Sequence, residues 1–152
     1  MFIRSLSFND GDILKNIRYK ALKNNPEAFG ASYEEEQNYD TLTYSNRLKD
    51  ENNYFFGAFE NNEIIGLICL SKNTRLKTSH RSTITSFYVD LNYRRMGIGK
   101  QLLSTVLQKA ADIQMIEQVE LSVVSIQYPA ISLYISMGFE IYGTEFHSLK
   151  ID

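Results

Sequence analysis

A short glycine-containing turn between a strand-like and a helix-like segment is the strongest chemical signal in this sequence. Residues 87–100 read FYVDLNYRRMGIGK. An apolar, β-branched and aromatic run ends at Val89, two arginines follow, and Gly97 and Gly99 begin an amphipathic stretch. The first N–H groups of a helix have no internal partner, and the helix dipole makes that end electropositive. Such a turn is therefore suited to binding a phosphate or pyrophosphate group.

Several interpretations of this turn compete. A Walker A loop requires GxxxxGK[ST], which the sequence lacks, and a dinucleotide fingerprint GxGxxG requires a third glycine where Leu102 stands. A coenzyme A pyrophosphate turn requires only RxxGxG after a strand, and Arg94 to Gly99 fits that pattern. The same six residues also fit a capped helix that follows a flexible glycine turn and binds nothing. On the pattern alone, the last two interpretations stay open.

Hydrophobic periodicity places the turn inside an alternation of strands and helices. The predicted helices lie at 13–22, at 98–110, from Pro129 to Gly138, and as short irregular elements within 27–44 and 43–50. The predicted strands lie at 2–8, 54–59, 63–70, 81–89, 119–123, 139–142 and 145–151, the last two forming a hairpin. Asn61-Asn62 is typical of a tight hairpin turn. We predict one α+β domain over residues 1–152, with a mixed central sheet of about seven strands and about four helices.

Composition disfavours several other classes of protein. The 152 residues are 43% hydrophobic and 22% charged, and the net charge of −2 argues against a protein that binds nucleic acid through phosphate contacts. No apolar stretch approaches the ~20 residues that span a bilayer, and residues 1–10 do not resemble a signal peptide. A single cysteine and the lack of a Cys/His cluster offer no disulfide or zinc site. We expect a cytoplasmic domain with no metal and no membrane or nucleic-acid partner.

A second segment makes the resemblance to a known family specific. Residues 87–100 resemble the acyl-CoA-binding motif of the GNAT superfamily of N-acetyltransferases. Ser125 to Phe139 is similar to that family's NxxAxxxYxxxGF segment. Two motifs at the right separation and in one order of elements are far more specific than either alone. The resemblance implies the GNAT (acyl-CoA N-acyltransferase) fold and acetyl-CoA (coenzyme A) as the acyl donor.

The resemblance also assigns roles at the coenzyme. In relatives, the strand before the turn pairs with the pantetheine arm as an added strand would, which implicates Phe87, Tyr88 and Val89. The turn and the helix start hold the pyrophosphate, and the residues implicated are Arg94, Arg95, Met96, Gly97, Ile98, Gly99 and Lys100. Gln127 stands where the family usually has Asn near the coenzyme, and its additional methylene displaces the amide by about one bond length. Tyr134 corresponds to the tyrosine that is often proposed as general acid for the departing thiolate.

The acceptor site and the general base are less well defined. Tyr33 and the acidic run from Glu34 to Glu36 lie where relatives build part of the acceptor site, so Tyr33, Glu34 and Glu36 are candidate substrate-binding residues. A solvated helix face is the alternative for the acidic run. Relatives often place a glutamate on the strand before the turn, but residues 83–87 contain no carboxylate. Candidate bases by location are Glu34, Glu35, Glu36, His80 and Glu120, and a water relay is an equal alternative.

The implied reaction is direct attack of an amine on acetyl-CoA. An amine with a pKa near 10.4 is almost wholly protonated at neutral pH, and its deprotonation costs roughly 4 kcal/mol. The predicted acceptor is a small-molecule amine or a peptide amine, and a non-catalytic acyl-CoA-binding module is the alternative from another class. Dimers are common in the family, which makes a homodimer an expectation that no residue here demonstrates. Residues 26–30, PEAFG, also look similar to bacterial members, without any chemistry attached.

Overall fold

The computed structural model describes residues 1–151 and contains a five-stranded sheet with helices on both faces. Sheet order follows the chain; β4 and β5 pair in parallel and all other neighbours are antiparallel. The strands are β1 (Phe2–Ser5), β2 (Asn53–Glu60), β3 (Glu63–Lys72), β4 (Arg81–Val89) and β5 (Gln118–Glu120). The helices are α1 (Gly11–Asn24), α2 (Tyr33–Glu36), α3 (Thr41–Lys49), α4 (Ile98–Asp112) and α5 (Tyr128–Ser136). Asp152, the last residue of the predicted domain, lies outside the described residues.

The β2–β3 hairpin forms the centre of the sheet. Its loop is Asn61-Asn62, whose φ angles of 51° and 65° are the left-handed values that a two-residue type I′ turn requires. The predicted hairpin turn is therefore confirmed. β3 is buried from Ile64 to Leu70 because helices cover both of its faces, which explains its continuous apolar run.

Two hydrophobic cores hold the helices against the sheet. On one face, α1 and α3 bury Leu14, Ile17 and Tyr44 against β2 and β3. On the other, α4 and α5 bury Leu102 and Tyr134, among others. The helical period predicted for 98–110 is confirmed, because its apolar stripe is the buried face of α4. None of the helices in the described residues is long and apolar enough to cross a membrane.

β4 and β5 part from each other soon after they meet. Their ladder is confined to three pairs, and its last pair joins Thr83 to Glu120. Beyond it, β4 continues to Val89 still paired with β3, but with no strand on its other edge among residues 1–151. A β-bulge lies within this stretch, since Ser86 and Phe87 together oppose one residue of β3, and Ser86 has a φ of 55°. The parting leaves the second half of this edge of β4 without a strand partner among residues 1–151, and we call the space beside it the slot.

The prediction of about seven strands and four helices is wrong in its counts, since residues 1–151 contain five strands and five helices. The predicted strands at 139–142 and 145–151 are not formed. Their alternating apolar residues suggested strands, but an extended segment becomes a strand only when it finds a ladder partner. Ile141, Tyr142 and Phe146 remain 72%, 84% and 83% exposed, and His147 has a φ of 56° that interrupts an extended run.

Candidate active site

The turn that follows β4 is an exposed cradle of backbone N–H groups. Arg95 and Gly97 both have left-handed φ angles, 63° and 78°, on either side of Met96. Gly97 is the N-cap of α4, and the first intrahelical bond runs from the Gln101 N–H to the Gly97 carbonyl at 3.1 Å. The N–H groups of Ile98 to Lys100 consequently have no partner within the helix. Left-handed residues on both sides of Met96, directly before a helix start, concentrate such groups, as anion-binding nests do.

Nothing in the described residues covers this cradle. Arg95, Met96, Gly97 and Lys100 are exposed, and a Cβ built on Gly97 meets no atom within 4 Å. Neither Arg95 nor Lys100 forms an ion pair with any residue from 1 to 151. A left-handed backbone conformation at the non-glycine residue Arg95 is unfavourable in free energy, and such strained conformations concentrate at functional sites. The geometry fits a bulky anion.

Arg94 braces the turn from behind. Its Nε donates to the Val89 carbonyl at 2.9 Å, and its Nη2 donates to Asn25 Oδ1 at 2.6 Å. Its guanidinium also lies 5.7 Å from the centre of the Tyr88 ring. The side chain thus joins the end of β4 to the segment after α1, and its charge lies beside the predicted pyrophosphate site.

Asp90 fixes the other end of the turn. Its carboxylate accepts the Asn92 N–H at 3.0 Å and the Lys20 ammonium at 3.1 Å. Burial by itself raises the pKa of Asp90, but the Asn92 N–H and the Lys20 charge outweigh burial and leave that pKa below its ordinary value. The carboxylate is therefore ionised at neutral pH and holds the chain where it leaves the sheet.

α5 forms the wall of the slot opposite β4. Pro129 lies in its first turn and Gly138, with a φ of 98°, follows its end, as predicted. The Tyr134 ring lies 6.1 Å from the Phe87 ring of β4, centre to centre. Tyr134 is 9% exposed, and burial raises its pKa to about 12. Tyr134 is thus beside the strand that is predicted to pair with the coenzyme.

Gln127, the N-cap residue of α5, contacts a residue that the sequence did not single out for chemistry. Its Nε2 donates to Glu27 Oε1 at 3.3 Å, and Asn25 Nδ2 donates to the same oxygen at 3.1 Å. Glu27 lies in the 3-10 turn Pro26–Ala28, within the PEAFG segment. The side-chain amide of Gln127 is therefore oriented by a carboxylate from the segment after α1.

The acidic run divides into three different environments. Glu34 is exposed, and Glu35 forms a capping box with Ser32, whose N–H it accepts at 2.8 Å. Glu36 is buried and accepts from Arg18 Nε at 3.0 Å and from Arg47 Nη1 at 2.8 Å. The carboxylate of Glu36 is thus already paired with two guanidinium groups, whereas that of Glu34 faces solvent.

Tyr33 and the remaining candidate bases are spread over the molecule. The Tyr33 ring packs edge-on against Tyr19 at 5.4 Å, with the Lys23 ammonium 4.4 Å from its centre. Glu120 pairs with Arg81 at 2.6 Å, where β4 and β5 begin to part. Within residues 1–151, no group of three His, Cys, Asp or Glu side chains is placed to hold a metal ion.

Sequence reasoning missed Arg18 and assigned no chemistry to Glu27. Arg18 lies in the middle of α1 and reaches Ser86 at the β4 bulge, 3.1 Å from Nη1 to Oγ. No local pattern indicates that contact, since the two residues are 68 positions apart. For Glu27 the familiar PEAFG segment was the available signal.

A mixed sheet that parts beside an open glycine turn is the arrangement of the GNAT fold class. The chain belongs to the acetyltransferase (GNAT) family, whose family model matches residues 18–139. It is similar to mouse N-acetyltransferase family 8 member 3, with 32% identity over 115 residues that cover 71% of this chain and 46% of that protein. The chain spans about half the length of the first curated relatives that it matches.

Solved structures share the fold at lower sequence identity. A GNAT-family acetyltransferase from Streptococcus pneumoniae superposes with a TM-score of 0.86 at 19% identity, over 99% of this chain and 90% of that one. An acetyltransferase from Clostridium acetobutylicum, solved with acetyl-CoA, superposes with a TM-score of 0.70 at 21% identity, over 99% and 95% of the two chains. These likenesses show the GNAT fold, and the family match shows that the chain belongs to the acetyltransferase (GNAT) family.

Proposed function

We propose that this chain is an acetyl-CoA-dependent N-acetyltransferase that moves an acetyl group to a primary amine of a small molecule or peptide by direct attack. The observation that supports this most is the continuity of the free edge of β4 with the exposed N–H cradle at Arg95 to Lys100. A pantetheine arm has amides that pair with a free strand edge. A diphosphate suits the helix N-terminus that follows. A coenzyme A thioester carries the amide-containing arm and the diphosphate in the order that matches the strand edge and the helix start.

The reaction requires little covalent chemistry from the protein. The amine nitrogen attacks the thioester carbonyl carbon, a C–N bond forms, the C–S bond breaks, and the departing sulfur takes the electron pair. The amine loses one proton, and the sulfur ends as a thiol. The chain's task is to hold the two substrates together and to stabilise charge on the sulfur as it leaves.

Tyr134 is the residue proposed to act on the leaving sulfur, and its pKa defines how. A thiol has a pKa near 8.5, whereas burial raises that of Tyr134 to about 12. Full proton transfer from Tyr134 to the thiolate is therefore uphill by roughly 3–4 pK units, or about 4–5 kcal/mol. We propose that Tyr134 donates a hydrogen bond to the sulfur and that the thiolate is protonated by the proton that the amine nitrogen releases, carried through solvent.

The general base stays unassigned among the residues considered. Glu36 is paired with Arg18 and Arg47, and Glu120 is paired with Arg81, so both carboxylates are already engaged by guanidinium groups. Glu34, exposed beside Tyr33, is the carboxylate left to attract a cationic amine, and we propose that side of the slot for the acceptor. Cytoplasmic location and a homodimer likewise stay predictions.

Calorimetric titration with coenzyme A, followed by a thiol-release assay with acetyl-CoA and a panel of amines, tests the function. The panel comprises polyamines, amino acids, amino sugars and peptides with free N-termini. We expect coenzyme binding and turnover on at least one acceptor class. Absence of coenzyme binding would contradict the proposal. Binding without turnover on any amine would favour the non-catalytic acyl-CoA-binding module.

A further inference from the structure

We propose that Glu27 is a positioning residue for the acyl donor: its carboxylate orients the Gln127 amide so that the amide oxygen is presented to the pantetheine arm. This inference rests on the proposed function, because it concerns the same slot. It assigns chemistry to the PEAFG segment, which neither the resemblance nor the family match explains.

The hydrogen bonds form a connected chain from α5 to the turn after β4. Gln127 at the start of α5 donates to Glu27, and Glu27 also accepts from Asn25. Asn25 in turn accepts from Arg94, the residue that braces the coenzyme turn. Partners 100 positions apart in the sequence thus join the α5 wall to the segment after α1. The same four side chains link the N-cap of α5 to the predicted pyrophosphate turn.

The ionisation state of Glu27 decides which way the Gln127 amide faces. Hydrogen bonds from its own backbone N–H and from Asn25 hold the pKa of Glu27 below its ordinary value, so it is a carboxylate at neutral pH. A carboxylate only accepts hydrogen bonds, and therefore Gln127 must turn its NH2 group toward Glu27. The Gln127 oxygen is then directed away from Glu27 as a free acceptor. A pantetheine arm supplies the amide N–H groups that such an acceptor binds.

The longer side chain of Gln127 makes this restraint useful. A glutamine has one more rotatable bond than an asparagine, and ordering each such bond costs entropy. The Glu27 contact restrains that bond before the coenzyme arrives, which lowers the cost of binding. Glu27 itself is fixed by the 3-10 turn that begins at Pro26, and the next aromatic residue, Phe29, lies 5.7 Å from the Arg18 guanidinium.

The test is a double-mutant cycle on Glu27 and Gln127, read out as the Kd for coenzyme A and as KM and kcat for acetyl-CoA. We expect Glu27→Ala to raise Kd and KM about 3- to 10-fold, the size of one lost hydrogen bond, with kcat within twofold. Gln127→Ala should do the same. In the Gln127→Ala background, Glu27→Ala should add less than about twofold, since the two residues act as one unit. Glu27→Gln, which keeps an acceptor oxygen, should recover part of the loss.

Glu51→Ala is the matched control: Glu51 is exposed and takes part in none of these contacts, and the substitution removes the same charge. Equal factors for Glu27→Ala in both backgrounds, or no change relative to Glu51→Ala, would overturn the inference. So would a fall in kcat with Kd and KM unchanged, because that is the mark of a smaller folded and active fraction. If the wild-type chain binds no coenzyme A, the proposed function fails; if it binds and the cycle shows no coupling, the role of Glu27 alone fails.

Discussion

Arg18 Nη1 donates a 3.1 Å hydrogen bond to Ser86 Oγ, which ties the middle of α1 to the bulge of β4. The same guanidinium is paired with Glu36, and the two side chains are only 11% and 3% exposed. Ser86 holds a left-handed φ, so the contact supports a backbone shape that a serine rarely adopts. Arg18 therefore stabilises both the α2 segment and the strand beside the slot.

Arg18→Met should lower the free energy of unfolding by about 3 kcal/mol or more. Breaking one side of a buried ion pair leaves a charge without full compensation, here the Glu36 carboxylate with Arg47 alone. Urea denaturation measures the change, with the exposed Arg75→Met as control. The double variant Arg18→Met/Glu36→Gln should lose less than Arg18→Met because no incompletely compensated buried carboxylate remains. A loss within about 1 kcal/mol of the Arg75 control would contradict the buried-pair argument.

The two glycines of the turn should respond in opposite ways. Gly97→Ala should lower stability by about 1 kcal/mol, because a φ of 78° is unfavourable for alanine although the space around it is open. Gly99→Ala should leave stability unchanged or raise it by up to ~1 kcal/mol, since its Cβ would lie no closer than 3.5 Å to any neighbour. That Cβ would point toward Phe87, Val89 and Leu133, which line the slot.

The affinity for coenzyme A is a second readout for Gly99→Ala. We expect Gly99→Ala to weaken coenzyme A binding about tenfold, measured by calorimetry, because the added methyl group narrows the slot beside the helix start. If Gly99→Ala binds coenzyme A as tightly as the wild type, the ligand does not pass between β4 and α5 at this point.

Local patterns were sufficient to predict α4 and the hairpin of β2 and β3. The four-residue spacing of apolar residues from Ile98 to Ala110 predicted α4, and Asn61-Asn62 predicted the hairpin of β2 and β3. Each signal depends on neighbours within one or two turns of chain. The family resemblance added Tyr134, which lies on the slot although an isolated tyrosine on a helix face is usually only a core residue.

Contacts between distant positions could not be predicted in this way. The partners of Glu27 and Arg18 lie 100 and 68 residues away, and which of many polar residues meet depends on how the helices dock. The same limit explains the error at 139–151, where alternation was present but no strand partner was found. The same limit applies to Glu36. Its acidic neighbours indicated an exposed helix face, but Arg18 and Arg47 come from other parts of the chain and pair with its buried carboxylate.

Asp90→Asn should lower stability at pH 7 by about 0.5–1.5 kcal/mol, and the difference should vanish in acid. The folded-state pKa of Asp90 lies below its unfolded value, so its contribution is complete above pH ~4 and is lost as the pH falls through the folded pKa. Asparagine still accepts the Asn92 N–H, which isolates the charge interaction with Lys20.

Asp50→Asn is the matched control for this pH dependence, because Asp50 accepts the Asn52 N–H in the same way but has no ion pair with the described residues. The free energies of unfolding of the wild type and of Asp90→Asn, measured by urea denaturation from pH 7 to pH 3, should converge as the pH falls. A difference between the two free energies that stays constant over this range would mean that the charge of Asp90 contributes nothing to stability.

Tyr134→Phe should lower kcat about tenfold and leave the KM for acetyl-CoA within about twofold. The reason is the pKa of about 12: a phenol this weakly acidic donates a hydrogen bond to the leaving sulfur, which stabilises developing charge, but transfers its proton too unfavourably to be an efficient general acid. Thiol release measured from pH 6.5 to 9.5 checks this, and the ratio of wild-type to variant kcat should be constant, since Tyr134 stays neutral throughout.

A kcat within twofold of wild type at every pH would leave Tyr134 with a packing role against Phe87 and Phe139 only. A ratio that exceeds about 100 would instead require proton transfer and a pKa for Tyr134 that falls when coenzyme binds.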